Sequence, residues 1–151
     1  MRILIAHNLY QVPGGEDVVA DMEAAALADS GHVVERYTVD NDEIEGLGAA
    51  GKARLAVETV WNERRRREFR RLLENLRPHV VHAHNTFPLL SPSVYAACRD
   101  ARVPVVQTLH NYRLLCPVSS FYRDGHVCED CLGKLVPYPG VAHACYRDSR
   151  A

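Results

Sequence analysis

The sequence predicts an α/β fold built on a parallel, doubly wound sheet. Short apolar runs rich in β-branched residues recur at Ile3–Ala6, Val33–Val39, Val80–Ala83 and Val105–Leu109. Segments of helical period separate them, giving the order β, α, β, α, β, α, β. The connections are short, and a right-handed crossover that packs each helix back over the sheet is the arrangement such an alternation favours. A chain of 151 residues is long enough for one domain with its own core.

The first strand leads into a polar loop ending Pro13-Gly14-Gly15-Glu16. The helix after Gly15 is expected to bury Val18, Val19, Met22 and Ala26 on one face and to stop at Gly31, just before the second strand. Residues 41–51 are rich in glycine, alanine and acidic side chains and read as a loop. From Lys52 to Arg77 one long basic helix is expected. In it Val57, Val60, Trp61, Phe69, Leu72, Leu73 and Leu76 face the sheet, the run Arg64–Arg67 faces outward, and Pro78 closes the segment. Ser91-Pro92 supplies an N-cap hydroxyl and a first-turn proline for a helix to about Ala101, with Cys98 on its buried face as a small core hydrophobe. Pro104 opens the fourth strand. After Leu109 the regular pattern ends.

Hydrophobic residues make up 47% and charged residues 25%, with a formal net charge of -1. This is the composition of a soluble globular protein, and no global charge points to nucleic acid. The apolar run after Met1 is too short for a signal peptide or a membrane span, which argues for the cytoplasm. In that reducing compartment the five cysteines are thiols or metal ligands before they are disulfides.

In a parallel sheet ligands bind beyond the carboxyl ends of the strands. Here those exits are polar: His7-Asn8 after strand one, His82-Ala83-His84-Asn85 at strand three, His110-Asn111 after strand four. Gly14-Gly15 just before a helix lets backbone N–H groups approach an anion, with the helix N-terminus adding a favourable field; a plain tight turn is the competing reading. The pair matches neither the dinucleotide nor the P-loop fingerprint. His82 and His84, two apart in a strand, share a face and with His110 form a candidate metal set. Hydrogen-bonded structural or substrate-contacting roles are the commoner use of such histidines.

The Gly14-Gly15 loop, "RPHVVHAHNTFPLLSP" from Arg77 to Pro92 and "VPVVQTLHNYRLLCP" from Val103 to Pro117 resemble the N-terminal domain of glycosyltransferase family 4, retaining enzymes of the GT-B fold. The likeness covers nearly the whole chain. It implies a Rossmann-like domain over residues 1–151 that holds the acceptor, with a Cys-containing irregular extension over 111–147. It also implies a second domain that holds most of the nucleotide-sugar. That donor-binding domain, with its Glu-x7-Glu motif, is absent here: Glu35 and Glu43 have the spacing but fall in a strand and a loop. The resemblance implies transfer of a sugar from a nucleotide-sugar to a glycan or glycolipid acceptor in cell-surface polysaccharide synthesis, with the isolated domain inactive. By the same likeness His110 touches the donor sugar near the reacting carbon. Gly14 and Gly15 face the departing diphosphate through their amides, His84 and Asn85 line the cleft, and Glu16 and Asn111 are further substrate-binding residues. Preorganised donors stabilise the charge that develops on the leaving diphosphate, so no catalytic metal is expected.

Cys116, Cys128, Cys131 and Cys145 follow the spacing C-x11-C-x2-C-x13-C. A tetrahedral structural zinc fits it and would supply folding free energy to a segment rich in proline and glycine. Free thiols and a Cys128–Cys131 redox pair are the alternatives. The arginines between Arg64 and Arg71 offer a peripheral contact with anionic lipid at the inner face of a membrane; a solvated helix face interleaved with Glu63, Glu68 and Glu74 is the competing reading. A rival to the transferase as a whole is a non-catalytic, zinc-stabilised binding module that keeps the same fold.

Overall fold

A computed structural model of the chain describes residues 1–12, 14–146 and 148. Pro13 of the glycine loop and Arg147, the last residue of the Cys-containing region, lie outside them. The chain divides into two compact units, Met1–Thr108 and Leu109–Ala151.

The first unit is the α/β fold. Its strands are β1 (Arg2–Leu9), β2 (Val33–Asp40), β3 (Val80–Ala83) and β4 (Val105–Gln107), all parallel and ordered β2-β1-β3-β4. The helices are α1 (Gly15–Asp29), α2 (Ala49–Val60), α3 (Glu63–Leu76) and α4 (Ser93–Ala101), with a 3-10 turn at Asn41–Ile44. The chain leaves β1 toward β2 on one side and returns to β3 on the other, so the topological switch point lies between β1 and β3.

Alternation along β1 splits the core. Leu4 and Ala6 join Val81, Phe69, Leu73, Val94, Ala97 and Cys98, the larger cluster, on the α3 and α4 side. Ile3 and Ile5 join Ala24, with Leu27, Val34 and Val80 packed around them, on the α1 side.

Four expectations are corrected here. Helix α1 turns a different face to the sheet: Asp17, Ala20 and Ala24 are buried, whereas Val18 and Met22 are 56% and 66% exposed. Small alanines let the helix approach the strands, and that rotation brings Asp17 inward. The long basic helix is two helices broken at Trp61-Asn62, because the Asn62 side chain caps α3 by accepting from Arg65 N–H at 3.0 Å. Asn62 N–H also donates to Ser91 Oγ at 3.0 Å, locking the break in place, and Val57, Val60 and Trp61 are left exposed. Third, the arginine run does not all face outward. Arg65 is buried, paired with Glu43 at 2.5 Å and Glu68 at 3.2 Å. Helix α4 also starts one residue later than expected, with Pro92 at the cap and Ser93 as its first residue.

The second unit has a short antiparallel hairpin, β5 (Tyr122–Arg123) and β6 (His126–Val127), and a short helix, α5 (Tyr138–Ala142). Asp124 and Gly125 both take positive φ, 51° and 82°, as a two-residue hairpin turn requires. Gly140 lies against Pro117 so closely that a Cβ there would meet its ring at 2.6 Å.

Candidate functional site at the β1/β3 switch point

The site begins with helix α1. Gly14 is its N-cap, and Asp17, three residues on, reaches back to accept Gly14 N–H at 2.7 Å through Oδ2. Its other oxygen, Oδ1, takes the Nε2–H of His7 at 2.7 Å. The His7 tautomer follows from its second nitrogen, because Nδ1 accepts the Asn85 backbone N–H at 3.3 Å. Burial raises the Asp17 pKa, but the Gly14 N–H and His7 outweigh it and hold the carboxyl below its ordinary value.

His7 lies on the α1 face of β1, two residues beyond Ile5, which pairs with His82 in the register of β3. His84 continues the same face and extends the ladder by donating its N–H to Ala6 O at 3.0 Å. The rings of His7 and His84 meet edge-on at 5.9 Å, and those of His84 and His82 lie 4.3 Å apart at 36°. Three imidazoles thus form a row along the switch point. Asp17 holds one end and Glu23, also from α1, the other, with Oε2 3.4 Å from His82 Nε2 and 3.5 Å from His84 Nε2. Thr108 Oγ1 stands 2.8 Å from His82 Nε2.

On the opposite side of the strand exits the asparagines form a buried clamp. Asn8 donates to Asn41 Oδ1 at 2.8 Å and accepts the Leu89 N–H at 2.8 Å. Asn85 donates to Asn8 O at 2.9 Å and accepts the Phe87 N–H at 3.0 Å. The Asn85 amide therefore fixes the β3 exit and the loop after it.

Of the residues singled out in the sequence, Gly14, Gly15, Glu16, His84 and Asn85 converge here, linked through Asp17 and His7. The Gly14 N–H is engaged by Asp17, which leaves Gly15 as the open position: a Cβ added there meets nothing within 4 Å. Glu16 accepts from the Tyr10 hydroxyl at 2.9 Å.

His110 and Asn111 belong to the second unit. His110 is half-buried, and Asn111 Oδ1 accepts the Arg113 N–H at 2.9 Å. In that unit Cys116 is buried, Cys128, Cys131 and Cys145 are half-buried, and none of the four is in a disulfide. Arg123 pairs with Asp130 at 2.9 Å and Asp124 at 3.3 Å. Among the described residues, the one group of three or more potential metal ligands drawn together is Glu23, His82 and His84; the cysteines form no such group. Asp17, Glu23 and Thr108 were not foreseen as site residues. The signal for the first two was the small-residue stripe Asp17-Ala20-Ala24, which fixes which side of α1 meets the sheet.

The parallel order, the glycine-led helix and the histidine-rich exits of β1 and β3 coincide with a family match. The glycosyl transferase 4-like domain model matches residues 14–145. The chain belongs to the glycosyl transferase 4-like family. Neither a curated protein nor a solved structure matches it significantly. The family's chemistry is glycosyl transfer, and this chain's Gly14-Gly15 pair, His82-Ala83-His84-Asn85 and His110-Asn111-Tyr112 all fall inside the matched span. No described helix of this glycosyl transferase 4-like domain is long and apolar enough to cross a membrane.

Proposed function

We propose that this chain is the acceptor-side half of a cytoplasmic retaining glycosyltransferase that moves a sugar from a nucleotide-sugar to a glycan or glycolipid of the cell surface. It works with a donor-binding domain and is inactive alone. The observation that carries this reading is the junction of Gly14, the residue before Gly15, with His84, through Asp17 and His7, at the switch point where ligands of such sheets bind.

Cleaving the bond between sugar and diphosphate builds negative charge on the leaving group. The N-terminus of α1, with open space over Gly15, offers backbone N–H groups and a favourable field to that charge. Gly14 sets the start of the helix by giving its own N–H to Asp17. Glu16 supplies a hydrogen-bonding group for hydroxyls, His84 stands behind the site against His7, and Asn85 holds the β3 exit. His110, with Asn111 beside it, is the catalytic contact to the donor sugar.

The spacing of Cys116, Cys128, Cys131 and Cys145 supports a structural zinc in the second unit. The exposed Arg64, Arg67, Arg70 and Arg71 on α3 suit anionic lipid beside a glycolipid acceptor; Arg65, buried, takes no part.

The test is release of nucleoside diphosphate by this chain alone and by the chain joined to its donor-binding domain. Turnover is expected only from the joined protein, and His110→Ala is expected to lower its kcat by about a hundredfold. Turnover by the chain alone, or an unaffected His110→Ala, contradicts the proposal.

A further inference from the structure

The cluster at the far end of the histidine row is not used in the transfer step above. His82 and His84 point their Nε2 atoms at one oxygen, Glu23 Oε2, at 3.4 and 3.5 Å. Those lengths are long for charge-assisted hydrogen bonds, which draw in to about 2.7–2.9 Å. The His7–Asp17 pair in the same row does so, at 2.7 Å. They match instead the edge of a ligand tetrahedron: nitrogen and oxygen ligands about 2.0–2.1 Å from a zinc ion stand about 3.3–3.4 Å from one another.

We infer that Glu23, His82 and His84 form a binding site for a divalent transition-metal ion of the zinc type. All three ligand atoms lie within 4.8 Å of one another without rearrangement. Two neutral imidazoles and one carboxylate are a borderline donor set that suits zinc over magnesium or calcium. The two rings are held side by side by the pleat of β3, and the carboxylate comes from α1, so a bound ion ties helix to strand next to the Asp17–His7 pair.

Access is graded. The His84 side chain is fully buried and that of His82 is 16% exposed, while Glu23 at 37% opens the site to solvent. Three protein ligands leave a fourth position for water or a ligand hydroxyl. The Thr108 hydroxyl hydrogen-bonds His82 Nε2 at 2.8 Å without an ion, and a bound ion takes its place on that nitrogen. This site is separate from the cysteines of the second unit and does not depend on the transferase reading.

The experiment is a titration of the chelator-treated chain with Co2+, competed by Zn2+. Cobalt absorbance separates a nitrogen and oxygen site, seen in the visible bands alone, from a thiolate site with its added charge-transfer band. The expected result is one ion per chain bound without thiolate character, distinct from any ion that the cysteines take with their charge-transfer band. Glu23→Gln and His82→Gln, both at partly exposed side chains, should each weaken it at least about tenfold, the least that loss of even an outer-shell partner brings. Far-UV circular dichroism of both variants should match the parent. Binding with thiolate character only, no binding, or binding that either variant leaves unchanged overturns the inference.

Discussion

Replacing Asp17 by alanine removes the acceptor at the centre of the switch point, and its effect follows from two contacts. The carboxylate accepts His7 Nε2–H and Gly14 N–H, both at 2.7 Å. Hydrogen bonds to a charged group contribute about 1.5–3 kcal/mol each, and loss of one leaves the buried His7 donor without its acceptor. Against this, alanine improves helix propensity by about 0.5 kcal/mol. The net loss is then about 2.5–5.5 kcal/mol, which for a chain of this size lowers Tm by about 5–20 °C. The single tryptophan, Trp61, lies in the same unit, so urea unfolding followed by its fluorescence reads the change. The sign with pH is fixed. The folded Asp17 pKa lies below its unfolded value, so its contribution is complete above the unfolded pKa of about 3.9 and is lost as pH falls through the folded one. The difference between parent and variant should be full at pH 6 and should shrink from about pH 4 downward. A loss under about 0.5 kcal/mol, the ordinary scatter of surface changes, would refute this account of the contacts, as would a difference that grows on acidification.

Gly15→Ala should keep or slightly raise stability, since the added Cβ meets open space at a helix start, yet lower transfer by the joined protein about tenfold or more; parallel melting and turnover measurements check it. Arg65→Met should shift unfolding by about 1–3 kcal/mol, because a buried guanidinium with two carboxylate partners is lost, whereas Arg67→Ala, on an exposed i,i+4 pair, should stay within about 0.5 kcal/mol. Burial pushes the Cys98 thiol up to about 11, so at pH 8 only about one molecule in a thousand carries its thiolate. Iodoacetamide with mass-spectrometric mapping should leave Cys98 unmodified in the folded, chelator-treated chain while the half-buried Cys128, Cys131 and Cys145 react, and denaturant should remove the difference.

The strands were legible because apolar β-branched runs between turn signals have few other uses: β3 spans the expected Val80–Ala83, and β2 exceeds its expected run only by Asp40. The glycine-led start of α1 and its end near Gly31 were equally readable. Its buried face was not, because hydrophobicity favoured Val18 and Met22 while the packing selects small residues and one carboxylate that satisfies a histidine. The break at Asn62 was hidden for a related reason. Asparagine inside a helical pattern reads as a tolerated polar residue, and only the distant Ser91 and Ser93, with Ser93 Oγ donating to Asn62 O at 2.9 Å, make it a cap. Arg65 looks in sequence like its three neighbours and is distinguished only by Glu43, 22 positions away. In the second unit the Asp124-Gly125 pair was a readable hairpin signal in a stretch expected to be irregular. Within the candidate site, Gly15 and His84 were visible as residues leaving strands. Glu23 required knowing how α1 is rotated.

The most direct test maps nucleotide-sugar binding onto backbone amides by two-dimensional NMR, titrating the chain with a panel of nucleoside diphosphate sugars. Shifts concentrated at Gly15, Glu16, His84 and Asn85 are the predicted result. Amides that stay in place there, while those of the basic face of α3 or of the hairpin at Tyr122–Val127 move, would contradict a donor diphosphate seated between β1 and β3.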